Sequence, residues 1–353
     1  MKDKQNLMMT NNVSEKLFDI TFIGAGPTGV FGAFYAGLRE MSAKVIDALP
    51  QAGGQLTALY PEKMIYDTPG FPAILSKELV ANLMEQAKQW PHEFCFEERA
   101  EGLHRGATPA GVDEDECWVI ETNRGVHYTR TVILCAGIGA FQPIKLKNDS
   151  VEAFENKGIF YLLRDLEDFE GKRVLIIGGG DSAVDWALAL ESIAEKVTLI
   201  HRRKGFRAHD SSVNALNSSS VDVRIFYELK IVEGSNNVEG AVIFDNRSKE
   251  EYSIDVDAII FALGFKADLG PIRSWNLETL GRRYIKVNSK METNLPGVFA
   301  AGDVALQEEL DPLNLIVVGF GQVTVAVNYA YTVIKPGGKV FPGHSSDKMA
   351  GKK

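Results

Sequence analysis

Two glycine-rich turns carry most of the chemistry legible in this chain. In FDITFIGAGPTGVFGAFYAGLRE, starting at Phe18, a short apolar strand runs into Gly24, Gly26 and Gly29 at GxGxxG spacing, then into small residues that read as a helix opened by Pro27 and Thr28. The first glycine permits a tight turn and the second lets the backbone approach a diphosphate. The third lets helix and strand pack closely, and the helix N-terminus supplies the positive end of a dipole. The next strand, AKVID, ends in Asp47, placed to accept hydrogen bonds from the ribose hydroxyls of an adenosine half.

The pattern recurs in KRVLIIGGGDSAVDWALAL, where Gly178, Gly180 and Ala183 give GxGxxA and Asp181 and Ser182 begin a helix. His201 follows Gly178 by as many residues as Asp47 follows Gly24, so the acid of the first site is replaced by His201, Arg202 and Arg203. A carboxylate there would repel a 2′-phosphate, whereas guanidinium groups bind one bidentately, and Arg207 in GFRAH adds another. The second site therefore reads as one for NADPH rather than NADH, and the first as one for an unmodified ribose.

Elements of both kinds are needed to hold two such sites. At 353 residues the chain exceeds what one core usually serves, and 45% apolar with 24% charged residues is globular composition. The alternation in CWVIETN followed by GVHYTRTVILCAG reads as a small antiparallel sheet returning to the first domain's parallel sheet. TVILCAG ends at Gly137 and DAIIFALGF near Phe265, which places the crossings between domains just after those strands. The expected architecture is α/β, two Rossmann-like three-layer ββα domains. Residues 1–138 and 266–353 form the first, and residues 139–265 are a second inserted into it. METNLPGVFAAGDVA adds a short strand with Asp303 at its carboxyl end, where open α/β sheets bind ligands, and a helix beginning near Gly321 could aim its N-terminus at the same ligand.

Other classes are disfavoured. The apolar runs VLIIG and AIIFALG fall far short of the roughly 20 residues that span a bilayer. The N-terminus lacks an apolar h-region, so a cytoplasmic protein is expected. Cys95, Cys117 and Cys135 form no CxxC and imply neither a disulfide framework nor a metal site. A net charge of −9 opposes non-specific nucleic-acid binding.

GAGPTG, GGQL at 53–56, GGGDSAVDWA, HRRKGFRAH and TNLPGVFAAGD occur in the order seen in thioredoxin-reductase-like flavoproteins, which this chain resembles over nearly its whole length. The disulfide-reducing members carry a CxxC just before the second fingerprint, where this sequence has GIFYLLRDLEDFEGK, so dithiol chemistry is excluded. That absence, LTALYPEKMIYDTPGFP at 56–72 and the tail FPGHSSDKMA look like ferredoxin-NADP reductase of the thioredoxin-reductase type.

The resemblance implies FAD on the first site and NADP(H) on the second. It implies hydride transfer from NADPH to flavin N5, then two one-electron steps to ferredoxin, in a homodimer. It also implies that Tyr60 stacks on one flavin face while His344, followed by Ser345, covers the other from the partner's tail. Gln55, Leu56, Phe141, Gly302 and Thr324 join the implied cofactor-binding set. Ferredoxins are small and acidic, so the docking surface should be basic. Two rivals share these motifs: an NADPH oxidase or quinone reductase of similar fold, and a non-catalytic NADPH sensor, which would need only one site.

Overall fold

In the computed structural model of the chain, residues 12–139, 142–163, 165–266 and 268–346 are described. They fall into two compact units. One takes the described residues of Met1–Thr57, Pro61–Ala140 and Ala267–Lys353; the other takes those of Ala58–Tyr60 and Phe141–Lys266.

The first unit is built on β1 (Asn12–Ile23), which leads through the glycine turn into α1 (Pro27–Leu38) and on to β2 (Ala43–Ile46). β1 pairs in parallel with β2, Ile20 against Ala43, and on its other side with strand Gly125–Leu134, Ile23 against Leu134. Strand Gly125–Leu134 changes partner along its length. Its first half pairs antiparallel with Glu116–Thr122, and its second half in parallel with Val298–Ala300. The antiparallel hairpin expected from alternation is therefore continuous with the parallel sheet. Phe18, Ile20, Phe22, Ile133, Leu134 and Phe299 are buried in its core.

The last long helix runs Ile316–Ile334. By length and composition it could cross a membrane, but here it lies alongside α1. Phe320 meets Phe31 with ring centroids 4.8 Å apart, and Asn328 Nδ2 reaches the Tyr35 hydroxyl at 3.4 Å. It begins five residues before the expected start at Gly321, because the apolar run IVVGF continues the helical face toward α1 and no cap residue or proline stops it. Its dipole end therefore sits at 316–319, and Thr324 is two turns inside.

The same sheet buries a charged relay. Lys44, 2% exposed, pairs with Glu93 Oε2 at 3.2 Å and donates to His127 Nδ1 at 2.9 Å, while His127 Nε2 lies 2.7 Å from Glu98 Oε1. An ammonium can only donate, so Nδ1 accepts and the ring is the neutral tautomer that donates from Nε2 to Glu98. Burial pushes the His127 pKa down, consistent with that tautomer. The Glu98 pKa is also lowered: hydrogen bonds from Thr122 and His127 outweigh its desolvation, the largest opposing effect.

The second unit has a five-stranded parallel sheet, in the order Ile159–Phe160, Ala258–Ala262, β3 (Arg173–Gly178), β4 (Lys196–His201) and Asp222–Ile225. Alternate residues of its strands face opposite layers. Val174, Ile176 and Leu199 pack with Ala183, Trp186 and Leu190 of α2 (Asp181–Leu190), while Leu175, Ile200 and Ile259 pack under an antiparallel sheet of Tyr227–Gly234, Val238–Asp245 and Glu251–Asp255. Helix, parallel sheet and antiparallel sheet are the three layers.

Candidate functional site

At the carboxyl end of β1, Gly24 takes φ +113°, which a side chain would strain, and a Cβ there would lie 2.3 Å from the Cys135 carbonyl oxygen. Gly29 is closed in the same way, since its Cβ would come within 1.9 Å of the Gly24 carbonyl oxygen. The tight packing at the third glycine is thus against the turn itself. Gly26 differs: nothing lies within 4 Å of where its Cβ would be, and it caps α1 without any side-chain hydrogen bond. Open space against uncapped helix N–H groups is what a diphosphate requires. Pro27 and Thr28 beside it are part-exposed.

Asp47 stands just past β2. Its Oδ2 accepts from the Ala25 N–H at 2.6 Å and Oδ1 from the Leu49 N–H at 2.8 Å, leaving each oxygen a further lone pair for a ribose hydroxyl. Burial pushes its carboxyl up, with those two N–H groups pulling the other way. The same acid therefore ties the glycine turn to β2.

Asp303 follows strand Val298–Ala300, and Gln55 Nε2 donates to its Oδ2 at 3.2 Å. Burial raises its carboxyl pKa, opposed by Gln55 and by the charge of Arg283. Gly302 N donates to Gln322 Oε1 at 2.8 Å, and a Gly302 Cβ would approach Thr28 Oγ1 to 2.9 Å, so Asp303 is set against the start of α1. Arg283, Gln322 and Gly319, whose Cβ would meet Thr28, were not found from sequence. No motif marks them, although Arg283 stands just before strand Tyr284–Lys286, which pairs with Ala305–Leu306 directly after Asp303.

Leu56 is 2% exposed and packs in the core, and Thr324 Oγ1 bonds back to the Phe320 carbonyl at 2.8 Å, well past the helix's first turn. Phe141 lies outside the described residues. Tyr60 is half-buried after the turn Gln55–Ala58.

In the second unit Gly180 repeats the part of Gly26, with open space at its Cβ and no capping side chain on α2. Gly178 is closed, its Cβ lying 2.5 Å from the Ala262 carbonyl oxygen and 2.8 Å from the buried Ala183 methyl. Ser182 is exposed. The basic loop after β4 folds back over this turn. Arg207 N donates to the Gly179 carbonyl at 2.7 Å, and Asp181 Oδ1 accepts from His209 N at 3.1 Å. The His201 ring stacks on Phe206 at 5.1 Å, with Nε2 3.1 Å from the Gly205 carbonyl. Burial pushes the His201 pKa down. Arg202, Arg203 and Arg207 are exposed and, among the described residues, make no ion pair, leaving guanidinium groups available to an anion.

Arg39 holds the carbonyls of Lys339 and Val340 at 2.8 and 3.2 Å and stacks 3.6 Å from the Tyr331 ring centroid. The tail thus leaves at the end of α1 away from the glycine turn. His344 and Ser345 are exposed, with His344 edge-on to Phe341 at 5.6 Å. All three cysteines are free, and burial pushes each thiol up, so none is poised as a thiolate.

Two dinucleotide folds, one ended by an acid and the other by arginines, define a dinucleotide-dependent oxidoreductase with two nucleotide sites. The chain belongs to the pyridine nucleotide-disulphide oxidoreductase family, whose model matches residues 18–330. It is 52% identical to a ferredoxin–NADP reductase of Symbiobacterium thermophilum, over 95% of this chain and 98% of that one. It is 50% identical to one of Sulfurisphaera tokodaii, over 94% and 97%. Among solved structures, the thioredoxin reductase of T. acidophilum matches with a TM-score of 0.73 at 24% identity, covering 90% of this chain and 98% of that one. At that identity the likeness speaks for the fold.

Proposed function

We propose that this chain is an FAD-dependent oxidoreductase that passes electrons between NADPH and ferredoxin. The observation that carries the reading is the pair of open helix N-termini, one beside Asp47 and the other beside Arg202, Arg203 and Arg207, in a chain half identical to named ferredoxin–NADP reductases.

Bound FAD would supply the exchange between a two-electron hydride from NADPH and two single electrons for ferredoxin. The chain's own work is binding and orientation. Gly26 and the first turn of α1 would face the FAD diphosphate, Asp47 its adenosine ribose, and Asp303, steadied by Gln55, the chain joining diphosphate to flavin. Gly180 would face the NADPH diphosphate, and the three arginines its 2′-phosphate. Tyr60 and the partner's His344 and Ser345 would cover the flavin faces. The exit of the tail at the far end of α1 supports a tail that serves a second copy, hence a homodimer. We place the enzyme in the cytoplasm, acting without membrane or nucleic acid.

The test is NADPH-dependent reduction of ferredoxin measured beside oxygen, a quinone and a disulfide. Ferredoxin should have the highest kcat/KM. A quinone or oxygen preferred over ferredoxin would make the enzyme a quinone reductase or oxidase, and FAD retention without turnover of any acceptor would make it a sensor.

A further inference from the structure

The arginines proposed to meet the 2′-phosphate stand in an exposed loop, where long side chains and a mobile backbone normally make ion binding weak. Here the loop is held at its end by Arg207 N on Gly179 and in its middle by His201 on Gly205. Its beginning is held from a different layer of the unit. Asn246 Nδ2 donates to the Arg202 carbonyl oxygen at 2.9 Å and to Glu228 Oε1 at 3.0 Å. With an amide hydrogen given to each partner, the plane of that side chain is fixed.

Asn246 is itself well anchored. It follows strand Val238–Asp245, and its N–H donates to the Phe226 carbonyl at 2.7 Å. Phe226 takes φ +69° where the chain leaves the parallel sheet for the antiparallel one. The Arg247 guanidinium lies 3.9 Å from the Phe226 ring centroid and is paired with Asp245 Oδ2 at 3.0 Å. The turn that presents Asn246 is thus tied on both sides.

The Arg202 carbonyl belongs to the peptide plane that joins Arg202 to Arg203. Fixing that oxygen resists rotation of the plane, a coupled change of ψ at Arg202 and φ at Arg203, and so restricts the directions in which both arginine side chains leave the backbone. We infer that Asn246 is a positioning residue for phosphate recognition, through which the three-stranded antiparallel sheet sets selectivity for a 2′-phosphorylated nucleotide. The inference rests on the reading of this loop as the 2′-phosphate site. Asn246 need not touch the nucleotide; it acts by pre-ordering the two residues that do.

The test uses FAD-loaded protein and two probes that differ only in the phosphate, 2′,5′-ADP and 5′-AMP, titrated by calorimetry. Wild-type protein should bind 2′,5′-ADP more tightly. In Asn246→Ala the dissociation constant for 2′,5′-ADP should rise about two- to tenfold, the worth of one neutral hydrogen bond, with 5′-AMP changed less than about twofold. Asn246→Leu keeps the size and the backbone bond to Phe226 and adds no charge but cannot donate to the Arg202 carbonyl, so it should lose the same selectivity even if the alanine variant folds poorly. Equal weakening of both probes, or none of either, in a folded variant overturns the inference while leaving the site intact. A wild-type protein with no preference between the probes overturns the 2′-phosphate reading itself, and the inference with it.

Discussion

A single methyl group can separate the fold-holding glycines from the ligand-facing one. In Gly29→Ala the new Cβ would lie 1.9 Å from the Gly24 carbonyl oxygen, where carbon–oxygen contacts normally begin near about 3.3 Å. Backbone must move by more than about 1 Å to relieve this, and the obstacle is main chain, so the cost belongs at the upper end of overpacking, about 3 kcal/mol. In Gly26→Ala the Cβ meets nothing within 4 Å and the residue already has φ −66°. Restricting the unfolded chain favours folding by about 0.4–1 kcal/mol, and alanine is a poorer N-cap by a similar amount, so apoprotein stability should change by less than about 1 kcal/mol.

FAD binding should respond in the opposite order. A methyl at Gly26 stands where the diphosphate must approach, and losing even one charge-assisted N–H bond, about 1.5–3 kcal/mol, raises the dissociation constant at least about tenfold. Urea unfolding of the apoproteins and quenching of flavin fluorescence on reconstitution measure the two quantities separately. If Gly26→Ala binds FAD as tightly as wild type, the diphosphate does not lie against this backbone. If Gly29→Ala apoprotein is as stable as wild type, the turn is not packed as described.

Replacing Arg202 and Arg203 by alanine should raise KM for NADPH about tenfold or more while KM for NADH changes less than about twofold; equal losses with both nucleotides would contradict a 2′-phosphate role. The relay at Lys44 makes stability fall in acid. Glu98 and His127 both have lowered pKa values, so their contributions are present above the unfolded values and are lost as protons bind, beginning below about pH 6.5 for the histidine. His127→Gln can keep both hydrogen bonds, so its urea midpoint should vary less than wild type between pH 7.5 and 5 (both chosen to bracket about 6.5); a steeper dependence would mean that the native imidazole is charged. Deleting the chain from Phe341 onward should leave FAD bound but change stopped-flow hydride-transfer traces and raise oxygen consumption, and traces identical to the intact enzyme would make the tail a bystander.

By itself the sequence determined what is local in the chain. Apolar runs ending in GxGxxG or GxGxxA specify strand, turn and helix, because the glycine turn and the helix that follows it are made by neighbouring residues. The equal spacing from Gly24 to Asp47 and from Gly178 to His201 was readable for the same reason, since one strand–helix–strand unit fixes that distance. The start of the helix at Ile316 was not readable: no side-chain cap marks it, and its first turns are set by packing on α1, where Phe320 meets Phe31. Only tertiary structure joined Gln55 to Asp303, 248 residues apart, or buried Lys44 against His127 and Glu98. Asn246, 44 residues from Arg202, reads in sequence as an ordinary turn residue. Its partner is a backbone carbonyl, which every residue has, so no side-chain pattern could point to it, and only the register of one sheet over another brings the two within 2.9 Å.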